Sequence, residues 1–196
     1  TVTPVIPETI TVHLGAPGES ARNVTLPFWS YIANVASSEI YPSWPENALR
    51  ANIYAQISFA LNRVYTEYYR SRGYDFDITN STAYDQYFVE GRDIFSNVNE
   101  IVGEIFNSYV VRQGSVEPLF TQYCNGTTVT CPGLSQWGTV DLAERGLTPY
   151  EILQYYYGDD IDIVTNVPVE NVRASAPVIP LLLGSGGNAV RNVQIR

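Results

Sequence analysis

One carboxylate in this chain stands where it can do chemistry. Glu39 lies in Ser37-Ser38-Glu39-Ile40-Tyr41-Pro42-Ser43-Trp44-Pro45, immediately ahead of a long amphipathic segment. A carboxyl set among Ile40, Tyr41 and Trp44 can be held protonated by desolvation, which suits it to give a proton to a leaving oxygen and take one back. About a hundred residues on comes Gly133-Leu134-Ser135-Gln136-Trp137-Gly138, then Tyr150-Glu151-Ile152-Leu153-Gln154-Tyr155-Tyr156-Tyr157-Gly158. In the first of these blocks, the Gln136 amide is of the type that bonds hydroxyl or acetamido groups. Trp137 either walls a sugar site or anchors a core, with Gly138 as a turn. Asn52 and Gln56, one helical turn apart, either orient Glu39 or are solvated. Taken alone, an isolated glutamate reads as an exposed loop acid or a helix-end charge.

Composition narrows the ligand class. The 196 residues carry a net charge of −9, which repels phosphate backbones and excludes nucleic acid as a natural partner. No run reaches the roughly 18 apolar residues of a membrane helix. All 11 cations are Arg and there is no Met, even at position 1, so the expectation is a processed form whose targeting segment lay upstream. Fifteen Tyr and three Trp exceed what a core of this size requires. Aromatic rings without ammonium groups favour carbohydrate over phosphate, although most of the Tyr should simply pack at half-buried positions.

Cys124 and Cys131 enclose a six-residue loop, Asn125 to Thr130. In an exported protein they would form a disulfide, and in the cytosol they would remain thiols. A metal site is the weakest option, because the single His, His13, is remote in sequence. His13 itself falls in the alternating run Thr9-Ile10-Thr11-Val12-His13-Leu14 and reads as a strand-surface residue. Neither a metal nor another cofactor is expected. Asn23, Asn80 and Asn125 head Asn-x-Ser/Thr sequons, which read as chance in a bacterial-looking chain.

These residues need elements to position them. Residues 1–26 read as a β-rich lead-in and 28–36 as a helix that delivers the chain to Glu39. Leu49, Ile53, Ile57, Ala60, Leu61, Val64 and Tyr68 then recur at helical spacing, predicting a long helix buried on one side and closed by Arg70 to Gly73. Ser43 and Glu46 suggest its capping box, with Pro45 in the first turn. After an acidic loop, residues 93–103 read as a shorter helix, and 104–111 with 116–122 as a hairpin around Arg112 to Ser115. Two short helices follow, 136–145 ended by Gly146 and 149–157 capped by Thr148. Beyond Ile163 the chain is linker-like. The expected fold class is α+β: one principal domain over 27–163, with a long buried helix, shorter helices and a β-hairpin or small sheet.

The order of these blocks resembles the stage II sporulation protein D and amidase-enhancer (SpoIID/LytB) family over roughly residues 27–163. Its members carry a Glu in a Glu-Met-Pro-like turn, then Trp-Pro-x-Glu-Ala-Leu-x-Ala-Gln opening a long helix. Here that stretch is Glu39-Ile40-Tyr41-Pro42-Ser43-Trp44-Pro45-Glu46-Asn47-Ala48-Leu49-Arg50-Ala51-Asn52. A small-residue turn matches Cys124-Asn125-Gly126, and Gly-x-Ser-Gln-Trp-Gly matches Gly133 to Gly138. A helix ending near Tyr-Tyr matches Ile152 to Tyr157. Residues 180–194, Pro180 to Gln194, are similar to the opening of a peptidoglycan-binding helical repeat, so 164–196 is expected to be a linker with a truncated tail. The chain departs from the family pattern at three places. Ala83 and Tyr84 stand where some members have a zinc-associated His/Cys cluster, Ile57 where an Arg is common, and Gln122-Tyr123-Cys124 where a His-Ser-Ser-like turn is found.

The resemblance implies a lytic transglycosylase, which cleaves peptidoglycan strands between N-acetylmuramic acid and N-acetylglucosamine, with Glu39 as catalyst. Ser135, Gln136, Trp137, Asn52, Gln56, Gln122 and Tyr123 are the expected substrate-binding residues. Asp75, Asp77 or Asp85 could supply the second carboxylate that a hydrolase needs. The alternatives are a non-catalytic module that binds peptidoglycan or enhances an amidase, and a surface-assembly component that reuses the fold. Expected partners are glycan strands and a cell-wall amidase, in an extracellular, cell-wall or spore-envelope setting in a bacterium.

Overall fold

The computed structural model describes residues 2–172. Its elements in chain order are strands β1 (Ile6–Pro7), β2 (Thr9–His13) and β3 (Asn23–Pro27), helices α1 (Phe28–Glu39) and α2 (Glu46–Tyr65), and strand β4 (Ile78–Thr79). Helix α3 (Ser96–Ile105) and strands β5 (Tyr109–Arg112), β6 (Tyr123–Cys124) and β7 (Leu134–Ser135) come next. Helices α4 (Gln136–Glu144) and α5 (Pro149–Tyr157) and strands β8 (Ile161–Val164) and β9 (Val169–Glu170) complete the set. The class is α+β, as the sequence predicts.

Helix α2 is the axis of the molecule. One side packs into a core of Ile10, Val12, Tyr31, Ile32, Val35 and Val98 through Leu49, Ile53, Ile57 and Leu61. The other packs through Ala51 and Ala55 against Leu134, Leu142, Ile152 and Leu153. The helix is therefore buried nearly all round, not on one side as its apolar periodicity predicts, because its polar residues are buried too. Each of them bonds a neighbour. Asn52 Nδ2 donates to Thr139 Oγ1, Ser58 Oγ accepts from the Val110 N–H, and Asn62 Nδ2 donates to the Pro118 carbonyl. Such pairing is what allows polar groups into a core.

The ends of the helices follow from local chemistry. Helix α1 stops at Glu39 because Ile40 is extended, and Pro42 disfavours helix in the residue before it. Helix α2 starts directly after Pro45, which has no side chain able to cap it, so the capping box expected from Ser43 and Glu46 is not formed. Glu46 instead bonds Arg50 one turn on. The helix ends at Tyr65, and a separate 3-10 turn over Arg70–Arg72 is closed by Gly73 at φ 90°. Helix α5 has the predicted start, with Thr148 and Glu151 forming a complete capping box.

The sheets are small. Strand β2 lies between β3, antiparallel, and β4, parallel, while β1 pairs with β9. The hairpin expected over 104–122 is replaced by a longer-range pairing. Strand β5 joins β8 antiparallel, with Val110 opposite Ile163. Residues 116–122 contribute only single bonds such as Leu119 N–H to the Val110 carbonyl. His13, expected on a strand surface, is buried and stacks on Phe76 with ring centroids 4.4 Å apart. The peptidoglycan-repeat resemblance at 180–194 lies outside the described residues.

Candidate active site

The end of α1 and the middle of α2 bring Glu39 and Gln56 together. Gln56 Nε2 donates to Glu39 Oε1 at 2.9 Å, and Gln136 Nε2, from the first turn of α4, reaches the same oxygen at 3.4 Å. The other oxygen, Oε2, accepts the backbone N–H of Tyr87 at 3.0 Å. Gln56 is fully buried and Gln136 nearly so, whereas Glu39 keeps a partial opening to solvent. Burial pushes the Glu39 carboxyl up to about 7, against the opposing pull of four donors: Tyr87 N–H, the Tyr123 hydroxyl, Gln56 and Gln136.

Tyr123, on β6, brings its buried hydroxyl close enough to Glu39 to favour the ionised carboxyl, but outside ordinary hydrogen-bond geometry. Burial, with the negative charge of Glu39 second, holds that hydroxyl well above the ordinary phenol range. It therefore stays a donor across neutral pH. Gln56 Oε1 is a second buried atom without a partner. Two orphaned polar atoms beside a carboxyl that is half ionised near neutrality leave bonding capacity for an incoming polar group.

Aromatic rings neighbour the site residues in the chain. Tyr41, two residues beyond Glu39, and Trp137, one beyond Gln136, have centroids 5.6 Å apart and are 56% and 43% exposed. Trp44 lies buried beneath them, 4.8 Å from Trp137. Trp137 is not a buried core anchor, whereas Trp44 is. Ile40 and Trp44 are the buried apolar neighbours expected near Glu39, but Tyr41 is a surface ring.

Close backbone packing seats Gln136. Ser135 caps α4 by accepting from the Gly138 N–H at 3.0 Å. A side chain at Gly138 would collide with the Tyr156 hydroxyl, and one at Gly133 with the Gln122 carbonyl. Strand β6 pairs with β7 so that Tyr123 faces Leu134 in register and Cys124 faces Ser135. Cys124 and Cys131 are joined in a disulfide, and the loop they close offers the Asn125 carbonyl to the Trp137 N–H.

Other expected site residues lie apart from the carboxyl. Asn52 is turned to Ala48 and Thr139, tying α2 to α4. Gln122 is exposed, and it is its backbone carbonyl that takes part, accepting from the Tyr157 hydroxyl. Ser135 acts as a helix cap. Ile57, the position of the missing Arg, is fully buried in the core. Asp85 and Asp77 are held in ion pairs with Arg63 and Arg70, both at 2.8 Å, and Asp75 accepts from Asn23. Tyr87, Gln86 and Tyr31 belong to the site without having been singled out in the sequence. A backbone donor such as Tyr87 N–H has no signature in residue type.

The fold and site together define an α+β domain built around one carboxyl of raised pKa, with uncharged donors and exposed aromatic rings beside it. The family model of stage II sporulation protein SpoIID matches residues 18–105, so this part of the chain is similar to that family. The matched range contains Glu39, Gln56 and Tyr87 but ends before Tyr123 and Gln136. No curated protein matches the chain. The family is linked to sporulation and the cell wall, and no helix among the described residues is long and apolar enough to cross a membrane.

Proposed function

We propose that this protein is a lytic transglycosylase of peptidoglycan, with Glu39 as the single acid/base. The observation that carries the reading is the Glu39 carboxyl enclosed among uncharged donors, Gln56, Gln136 and the Tyr87 N–H, where burial raises it to about 7. A carboxyl poised there is protonated often enough to act as acid and ionised often enough to act as base. Protonated Glu39 donates to the glycosidic oxygen as the bond from that oxygen to C1 of the muramyl residue breaks. The resulting carboxylate then takes the proton of the muramyl 6-hydroxyl while O6 bonds to C1. A 1,6-anhydro end is formed, Glu39 regains its proton, and water is not consumed.

The engagement of Asp77 and Asp85 in ion pairs, and of Asp75 with Asn23, supports one-carboxylate chemistry over a hydrolase pair. In this reading Gln136 and the Tyr123 hydroxyl bond acetamido or hydroxyl groups, and Tyr41 and Trp137 stack on a pyranose face. The test is digestion of purified glycan strands followed by mass spectrometry. The expected products carry 1,6-anhydromuramyl ends that disappear with Glu39→Gln. Reducing ends alone, or anhydro ends that persist in the variant, would sink the proposal.

A further inference from the structure

Residues 84–89 form neither helix nor strand, yet they are bonded along almost their whole length. Arg63 donates to the Tyr84 carbonyl at 3.2 Å and to Asp85 Oδ1 at 2.8 Å. Asp85 Oδ2 accepts from the Tyr69 hydroxyl, the Thr79 N–H and the Thr79 hydroxyl. Gln86, fully buried, donates through Nε2 to the Gln56 carbonyl at 2.9 Å and accepts from the Tyr31 hydroxyl at 2.8 Å. Phe88 is buried against Tyr31, and Val89 exchanges two bonds with the Asn34 side chain. An irregular segment pinned this often gives up its conformational freedom, so something other than a helix or strand ladder fixes its place.

Glu39 lies where these bonds close on themselves. Its Oε1 accepts from the Gln56 side chain, the Gln56 carbonyl accepts from the Gln86 side chain, and the peptide after Gln86 carries the Tyr87 N–H that reaches Oε2. The ring thus begins and ends on the two oxygens of one carboxyl. Gln86 is the link that orients the Tyr87 peptide, because its own side chain is clamped from both helices.

We propose that Gln86 is a positioning residue for Glu39, holding the Tyr87 N–H on the carboxyl and thereby setting its protonation. The proposal rests on Glu39 being the acid/base. The titratable groups around the carboxyl are Tyr31 on its own helix and Tyr123 on β6, with the Asp85 and Arg63 pair acting behind Tyr31. Both phenols are pushed up by burial and stay neutral, so Glu39 responds to its donors and not to a neighbouring titration near pH 7.

The experiment is side-chain carboxyl NMR of the full chain with labelled glutamate, together with exchange of the Tyr87 amide. In Gln86→Ala the Glu39 midpoint should rise by about one pH unit, since a donor to the ionised form is lost. Tyr87 exchange should quicken at least roughly tenfold, while the amides of α1 and α2 keep their protection. Tyr31→Phe removes one of the two clamps without shortening a core side chain, and should move both readouts the same way by less. A wild-type midpoint and wild-type Tyr87 exchange in Tyr31→Phe overturn the proposal, even if Gln86→Ala does not fold. Neither readout uses turnover, so persistence of anhydro ends in Glu39→Gln would instead overturn the enzymatic reading on which the proposal rests.

Discussion

Gln56 Nε2 donates to Glu39 Oε1 at 2.9 Å, joining residues seventeen apart on consecutive helices. The bond ties the end of α1 to the middle of the most buried helix, so the carboxyl is held by the rigid part of the fold. It also leaves Gln56 Oε1 without a partner. A site that stabilises the ionised acid with amides, and not with cations, keeps the proton exchangeable.

The pH dependence of strand cleavage follows from that balance. With its carboxyl at about 7, Glu39 is the proton donor below that value and loses the proton above it. Cleavage measured as kcat/KM should fall roughly tenfold per pH unit on the alkaline side. A profile flat from pH 6 to 9 would contradict the role of Glu39.

Stability should also fall as pH rises, over a lower window than activity. The folded-state value, about 7, lies above the ordinary 4.5, so the folded state holds its proton more tightly than the unfolded one. Stability is then lost as pH rises from about 4.5 and the loss is complete above about 7. Glu39→Gln removes the penalty and should stabilise the protein at pH 8 by up to ~3 kcal/mol, with little effect below pH 4. Denaturant unfolding at the two pH values checks this, and an equal effect at both would refute the burial penalty.

The exposed rings should matter for binding and not for folding. Trp137→Ala and Tyr41→Ala each remove a ring at the surface, so melting temperatures should change little. Affinity for glycan strands should drop roughly tenfold for Trp137→Ala. Quenching of tryptophan fluorescence by N-acetylated oligosaccharides measures it in wild type and Tyr41→Ala, and cell-wall retention measures it in all three proteins. Unaltered affinity in both variants would place the sugar elsewhere.

Gly138 and Gly103 make a matched pair. Gly138→Ala drives a methyl into the Tyr156 hydroxyl and against the Ser135 cap, so it should cost about 1–3 kcal/mol and unseat Gln136. Gly103, in α3, has open space around it, and Gly103→Ala should be neutral or stabilising by up to about 1 kcal/mol. Thermal melts and cleavage assays of both variants give the comparison, and equal behaviour would show that close packing at Gly138 is not needed.

Legibility in the sequence varied with how local the cause was. The cap and length of α5 were readable because Thr148, Pro149 and Glu151 act within one turn. The start of α2 differs from the one expected, since Ser43 has the chemistry of a cap but the chain passes through Pro45 before the helix begins. The hairpin failed for a different reason. Strand β5 is apolar enough to be a strand, but its partner, Ile161–Val164, is some fifty residues on, and nothing in either segment names the other. Residue type and family pattern point to Glu39, Gln56, Gln136 and Tyr123, which the fold gathers around one carboxyl, while Asn52 and Gln122 share that type without facing it.

The sequence by itself determined the helical periods, the two Pro breaks around Trp44 and the Gly-x-Ser-Gln-Trp-Gly approach to Gln136, because each depends on neighbours within a turn or two, whereas Glu39 stands out as the acid only through the family resemblance. The tertiary structure decided the rest. It enclosed Glu39 deeply enough to raise its pKa, turned Gln56 and not Asn52 towards it, and brought the Tyr87 N–H across from a segment with no regular structure. Desolvation and hydrogen bonding between distant segments depend on which surfaces meet, and that is a property of the packed chain, not of any stretch of it.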